Sequence, residues 1–121
     1  MAKILIAEDD RALLDMFSAA VESMGHSAIR AVNGRMAWEV LQANDDIAFL
    51  ISDMAMPEME GRDLIKLIRE NRQFSTLPIL IVSGAIRARE IAHLLEQGAT
   101  HFMAKPVPLQ DLMAVIKRYV P

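Results

Sequence analysis

Five short apolar runs alternate with stretches whose apolar residues recur at helical spacing, and that alternation leaves few folds open. The runs are "KILIA" (3–7), a weaker "SAIRAV" (27–32), "IAFLIS" (47–52), "LPILIV" (77–82) and "THFMA" (100–104). Such near-continuous apolar runs suit parallel strands covered on both faces. Between them, Leu13, Phe17, Ala20, Val21 and Met24 form one helical stripe. Ala37, Val40 and Leu41 form a second, and Leu64, Ile65 and Ile68 a third. Ile91, Leu94 and Leu95 form a fourth, and Leu112, Val115, Ile116 and Tyr119 the last. Gly25 and Gly98 stand where helices commonly stop. The expected fold is α/β, a (βα)5 unit with right-handed crossovers, too short for a closed eight-stranded barrel. An open, doubly wound five-stranded parallel sheet remains. Its common strand order, 2-1-3-4-5, puts a ligand crevice at the carboxyl ends of strands one and three.

The 121 residues suit a single domain, 1–121, with 53% hydrophobic and 24% charged residues supporting a packed core. No cysteine is present, which excludes disulfides, thiolate metal sites and a cysteine nucleophile. The opening "MAKILIAEDD" reaches acid by residue 8, unlike a signal peptide or membrane span, so a cytoplasmic protein is expected. A net charge of −3 argues against direct nucleic-acid binding. "GRDLIK" lacks P-loop spacing and no GxGxxG occurs, so a nucleotide site has no support.

A run built for burial that ends in an acid, "ISDMAMPEMEG", needs explaining, because a buried unpaired charge is costly. In a parallel sheet all the strand ends share one edge. Strand one runs into Glu8, Asp9 and Asp10, strand three into Asp53, strand four into Ser83 and strand five into Lys105. Two like charges about 4 Å apart repel by about 4 kcal/mol at an effective dielectric near 20, so Glu8, Asp9 and Asp53 together call for a cation. Oxygen-only ligands favour a hard divalent ion, and few carboxylates with room for water suit Mg²⁺. A carboxylate beside Mg²⁺ and a lysine, with a hydroxyl opposite, suits phosphoryl transfer. Asp53 is the candidate nucleophile, because it stands alone after a central strand, with Ser83 and Lys105 beyond it.

The set "ILIAEDD", "ISDMAMPEMEG", "ILIVSG" and "GATHFMAKP", in this order and at these strand ends, resembles the receiver domain of two-component response regulators across essentially the whole chain. The resemblance implies a flavodoxin-like, CheY-like fold. It also implies that Asp53 accepts phosphate from a histidine kinase or histidine phosphotransfer protein. Glu8, Asp9, Asp53 and the backbone carbonyl of Ala55 would ligate Mg²⁺, while Ser83 and Lys105 contact the phosphoryl group. Ser83 and Phe102 would form a switch that alters the face made by the fourth helix, fifth strand and fifth helix. A downstream protein reads that face, and relatives often dimerise through it. Such a protein is a signalling switch rather than a turnover enzyme, although it catalyses its own phosphorylation and dephosphorylation. A cis peptide at Lys105–Pro106 is implied as well. This chain departs from the pattern with Glu8 for an aspartate and with Phe102 in place of a tyrosine. Alanines stand at 55 and 85, where relatives carry polar side chains that tune phosphate lifetime.

Plainer roles suit the remaining residues. Asp10 caps a helix. Met56 anchors its loop in the core, and Met54 is a candidate for exposure to partners. Trp38 is a half-buried anchor. His26, His93 and His101 have no ligand spacing. The competing functions are a receiver cut from a larger hybrid kinase or transcription regulator, a Mg²⁺-dependent phosphatase, and a docking module that needs no phosphorylation. A phosphatase of that type wants a second acid two residues after the nucleophile, where Ala55 stands.

Overall fold

In the computed structural model, which describes residues 1–84 and 86–121, the chain alternates strand and helix five times. The order is β1 (Lys3–Ala7), α1 (Arg11–Ser23), β2 (Ser27–Ala31), α2 (Gly34–Ala43) and β3 (Ile47–Asp53). It continues with α3 (Gly61–Glu70), a 3₁₀ turn (Arg72–Phe74), β4 (Ile79–Ser83), α4 (Ala88–Gln97), β5 (His101–Ala104) and α5 (Leu109–Tyr119). All four strand pairings are parallel, and the sheet order is β2-β1-β3-β4-β5. Ala85, an expected tuning position, lies outside the described residues.

Strand side chains alternate between faces, so each central strand feeds two cores. Leu5, Leu50, Ile79 and Ile81 pack under Leu41 of α2, Leu64 and Ile68 of α3, and Leu94 of α4. Ile4, Ile6, Phe49, Ile51, Leu80 and Val82 pack under Phe17 and Val21 of α1 and Leu112 and Ile116 of α5. This double covering is why the runs of β1, β3 and β4 are apolar without alternation. β2 reads weakly because it is an edge strand, with only Ala31 fully buried.

Local chemistry sets the helix ends. Asp10 caps α1 by accepting from the Leu13 N–H at 3.2 Å, and Asn33 caps α2 by accepting from the Met36 N–H at 2.7 Å. α1 and α4 stop at Gly25 and Gly98, whose φ angles of 86° and 122° are open to glycine at little cost. Two packing expectations need correction, and one residue is added. Leu14 is buried on α1 beside the expected Phe17, Ala20 and Val21, while Leu13 and Met24 pack half-buried against the same core. Leu95 is 43% exposed, since α4 buries only the side bearing Leu94. Met54 is half-buried against the core, whereas Met56 is buried as expected. Trp38 is half-buried, edge-on to Phe74 at 5.9 Å.

Candidate functional site

The strand ladders continue to the candidate residues that the sequence places at their ends. The Glu8 N–H donates to the Ala31 carbonyl at 3.0 Å, one residue past β1. The Lys105 N–H donates to the Ser83 carbonyl at 2.9 Å, one residue past β5. Asp53 is the last residue of β3, opposite Val82, and the next N–H, of Met54, donates to the Val82 carbonyl at 3.1 Å. Backbone pairing therefore fixes Glu8, Asp53, Ser83 and Lys105 along one rim, although they are far apart in sequence. Glu8, Asp53 and Ser83 are buried, Lys105 is half-buried and Asp9 is exposed.

Carboxylate oxygens of Glu8, Asp9 and Asp53 all lie within 4.8 Å of one another. Lys105 Nζ stands 3.1 Å from Glu8 Oε1 and 3.1 Å from Asp53 Oδ1, bridging the two buried acids. The Met54 N–H donates to Asp53 Oδ1 at 2.8 Å, and the Asp10 N–H donates to Glu8 Oε2 at 3.1 Å. Glu8 Oε1 has no aligned hydrogen-bond donor, so the Lys105 contact there is an ion pair only. Burial, assisted by the charge of Asp53, pushes the Glu8 carboxyl up to about 7 against the pull of the Asp10 N–H and Lys105. Burial alone would lower the pKa of Lys105, but its contacts with Glu8 and Asp53 outweigh that and raise it. Three converging carboxylates with one lysine between them, and a donor set made only of oxygen, fit a small hard cation.

The loop after β3 is held against the acid by two close approaches. The Gly61 N–H returns to the Met54 carbonyl at 2.9 Å, and a Cβ on Gly61 would stand 2.5 Å from the Asp53 carbonyl oxygen. A Cβ on Gly34, at the start of α2, would stand 2.3 Å from the Met59 carbonyl oxygen. Ser52 also supports the end of β3, its buried hydroxyl donating to the Asp53 carbonyl at 2.9 Å. The sequence reading missed Ser52, Gly34 and the role of Gly61, since glycine letters give no sign of the backbone they will meet. Phe102 lies half-buried against the α2–α3–α4 core, and the Lys105–Pro106 peptide is cis. Ala55 is exposed on the loop and offers no side-chain ligand.

The His side chains join no group of metal-ligating residues among the described residues. A cleft of about 510 Å³ between α1 and the β2–α2 turn reaches this site only at Asp9; its other lining residues include Leu14, Val32 and Met36.

Residues 4–117 match the family model for the response regulator receiver domain. The chemotaxis protein CheY1 of Helicobacter pylori is 32% identical over 111 residues, covering 91% of this chain and 90% of that protein. A CheY homologue of Campylobacter jejuni is 30% identical over 111 residues, covering 91% and 85%. The solved structure of the Vibrio cholerae chemotaxis response regulator CheY4 superposes with a TM-score of 0.91 at 28% identity, covering 99% of each chain. The family match, the relatives aligned over most of their own length and the shared strand order lead to one conclusion: the chain belongs to the response regulator receiver domain family of two-component signalling.

Proposed function

We propose that Asp53 is the phosphoacceptor of this receiver and that a histidine kinase or histidine phosphotransfer protein is the donor. Lys105 bridging the two buried acids at 3.1 Å each carries this reading, because it puts a positive charge where a transferring phosphoryl oxygen gathers negative charge. An Asp53 carboxylate oxygen attacks phosphorus, a P–O bond forms, and the P–N bond of the donor breaks. The leaving imidazole departs neutral from a protonated ring, and the product is an acyl phosphate on Asp53. Lys105 then pairs with the new phosphoryl group, and the Ser83 hydroxyl, at the end of the neighbouring strand, donates to another of its oxygens.

Glu8, Asp9, Asp53 and the Ala55 carbonyl are the residues that would hold Mg²⁺, which when bound neutralises charge on the phosphoryl oxygens. The chain's own part is to converge those oxygens and to hold Asp53 with the Met54 N–H. The Ser83 contact and the repacking of Phe102 alter the α4-β5-α5 face, which a downstream protein reads and through which a homodimer can form. On this reading residues 1–121 act as one cytoplasmic signalling unit without nucleic-acid contact of its own. None of its described helices is long and apolar enough to cross a membrane.

The test is labelling with acetyl phosphate or phosphoramidate in Mg²⁺. One base-labile, hydroxylamine-sensitive phosphate is expected on the wild-type chain and none on Asp53→Asn. Undiminished labelling of Asp53→Asn would overturn the assignment.

A further inference from the structure

Away from the phosphoryl-acceptor rim, the charges on α3 and α4 are distributed in a way the receiver chemistry does not use. The chain carries a net charge of −3, yet Arg62, Lys66 and Arg69 follow one another on α3 at i, i+4 and i+7 and so share one face. Two adjoining cavities open along that face toward α4. One, of about 410 Å³, is lined by Arg62, Arg89, Glu90 and His93; the other, of about 330 Å³, by Arg62, Lys66, Arg69, Glu70 and Gln97. Arg62 lines both, so they form one groove. Among the described residues, Arg62, Lys66 and Arg89 have no carboxylate within salt-bridge distance, in contrast to Lys3, Arg30 and Arg35 elsewhere on the surface.

The groove also has a fixed width. Arg69 on α3 donates through Nε to the Gly98 carbonyl at the end of α4 at 3.0 Å. Its other nitrogens reach the carbonyls of Phe74, Ser75 and Leu77 at 3.0, 3.2 and 2.7 Å. The guanidinium thus keeps its charge while tying the two walls together. A groove held at a set width loses little freedom when it is filled.

We propose that the α3–α4 groove is a docking surface for an acidic helix of a partner protein. Arg62 and Lys66, exposed at i and i+4, stand about 6 Å apart along α3 with the tied Arg69 one turn beyond, which matches carboxylates repeating every three to four residues on a facing helix. Arg89 supplies a cation from the opposite wall, and Glu90 and Glu70, one in each cavity, disfavour a partner of uniform negative charge. Both glutamates, and the lack of Phe, Tyr or Trp in either lining, also speak against nucleic acid. The inference stands apart from the choice of phosphoacceptor, and its test uses Asp53→Asn alongside wild type so that the two readings fail separately.

The probe is a fluorescein-labelled helical peptide of about 14 residues with glutamates at i, i+4 and i+7 on an alanine-rich background. Its control has the same composition, with the glutamates distributed around the helix. Fluorescence anisotropy should show the striped peptide binding at least about tenfold tighter than the control. Binding should be lost by about 0.5 M salt and should weaken about tenfold or more in Arg62→Glu/Lys66→Glu. Arg11→Glu/Lys117→Glu, which changes exposed cations elsewhere, should leave affinity unchanged, and circular dichroism of both double variants should match wild type. Equal binding of the two peptides, undiminished binding by the groove variant, or tighter binding of a short DNA duplex would each overturn the proposal. Binding by Asp53→Asn equal to wild type is expected; its loss would mean that the peptide sits at the phosphoacceptor rim instead.

Discussion

Gly61 limits the site through its missing side chain. A Cβ there meets the Asp53 carbonyl oxygen at 2.5 Å, and that neighbour is backbone held in the sheet, so it cannot rotate away. Gly61→Ala should cost about 1–3 kcal/mol as an overpacking change and should slow phosphorylation by displacing the end of β3. Gly25 gives the contrast. A Cβ on it meets nothing within 4 Å, and only its φ of 86° resists substitution, so Gly25→Ala should cost about 1 kcal/mol with labelling unaltered. Urea unfolding combined with acetyl phosphate labelling separates the two cases, and equal labelling rates would remove the positioning role from Gly61. Glu8 supplies a second expectation. In metal-free protein its carboxyl is raised from 4.5 to about 7, chiefly by burial. Native protein then holds a proton that the unfolded chain has released in that window. The stabilising contribution is complete below pH 4.5 and is lost as pH rises through about 7, by at most about 3 kcal/mol. Unfolding free energy measured in EDTA should fall from about pH 5 to pH 8, and Glu8→Gln should flatten the fall. The raised pKa of Lys105 acts at higher pH and leaves this window untouched.

At the scale of elements, the segment between α3 and β4 is organised by one arginine. Arg69 satisfies carbonyls of the 3₁₀ turn, of the approach to β4 and of the α4 terminus, with its stem against Gly98. Arg69→Met keeps much of the stem but strands those carbonyls, and should cost about 2–3 kcal/mol. Arg69→Lys should recover little, because an ammonium lacks the planar fork that spans several acceptors. Chemical denaturation of both variants checks this, and full rescue by lysine would show that charge alone matters. None of this was legible beforehand: in "LIRENRQF" the arginine reads as one more exposed cation, since its acceptors are backbone atoms that only the turn assembles. The strands, by contrast, were legible wherever both faces are covered, as in β3, and faint in β2, whose edge position lets polar residues in.

For the whole molecule, the carboxyl edge is where stability and function oppose each other. Folding drives Glu8 and Asp53 into a buried cluster with Asp9, and Lys105 is one cation against three acids. Mg²⁺ should therefore stabilise the native state, by about 2.7 kcal/mol when the ion stands at 100 times its Kd. Asp9→Asn should reduce the gain, because it removes a carboxylate that has little to do with the core. Thermal unfolding with and without the ion gives the comparison. An unchanged Tm in wild type at millimolar Mg²⁺ would contradict the cation site.

The order of the strands, the helices between them and the acids at their ends were written in the sequence, because periodicity and the choice of residue at a strand's end are local properties. The sequence also carried the receiver motif set, whose members keep their order along the chain. Which side of each helix is buried, how near Glu8, Asp53 and Lys105 stand, and which backbone Gly34, Gly61 and Arg69 meet were decided only when parallel pairing brought distant segments to one edge. Those are distances between residues far apart in the chain, and no local pattern encodes them.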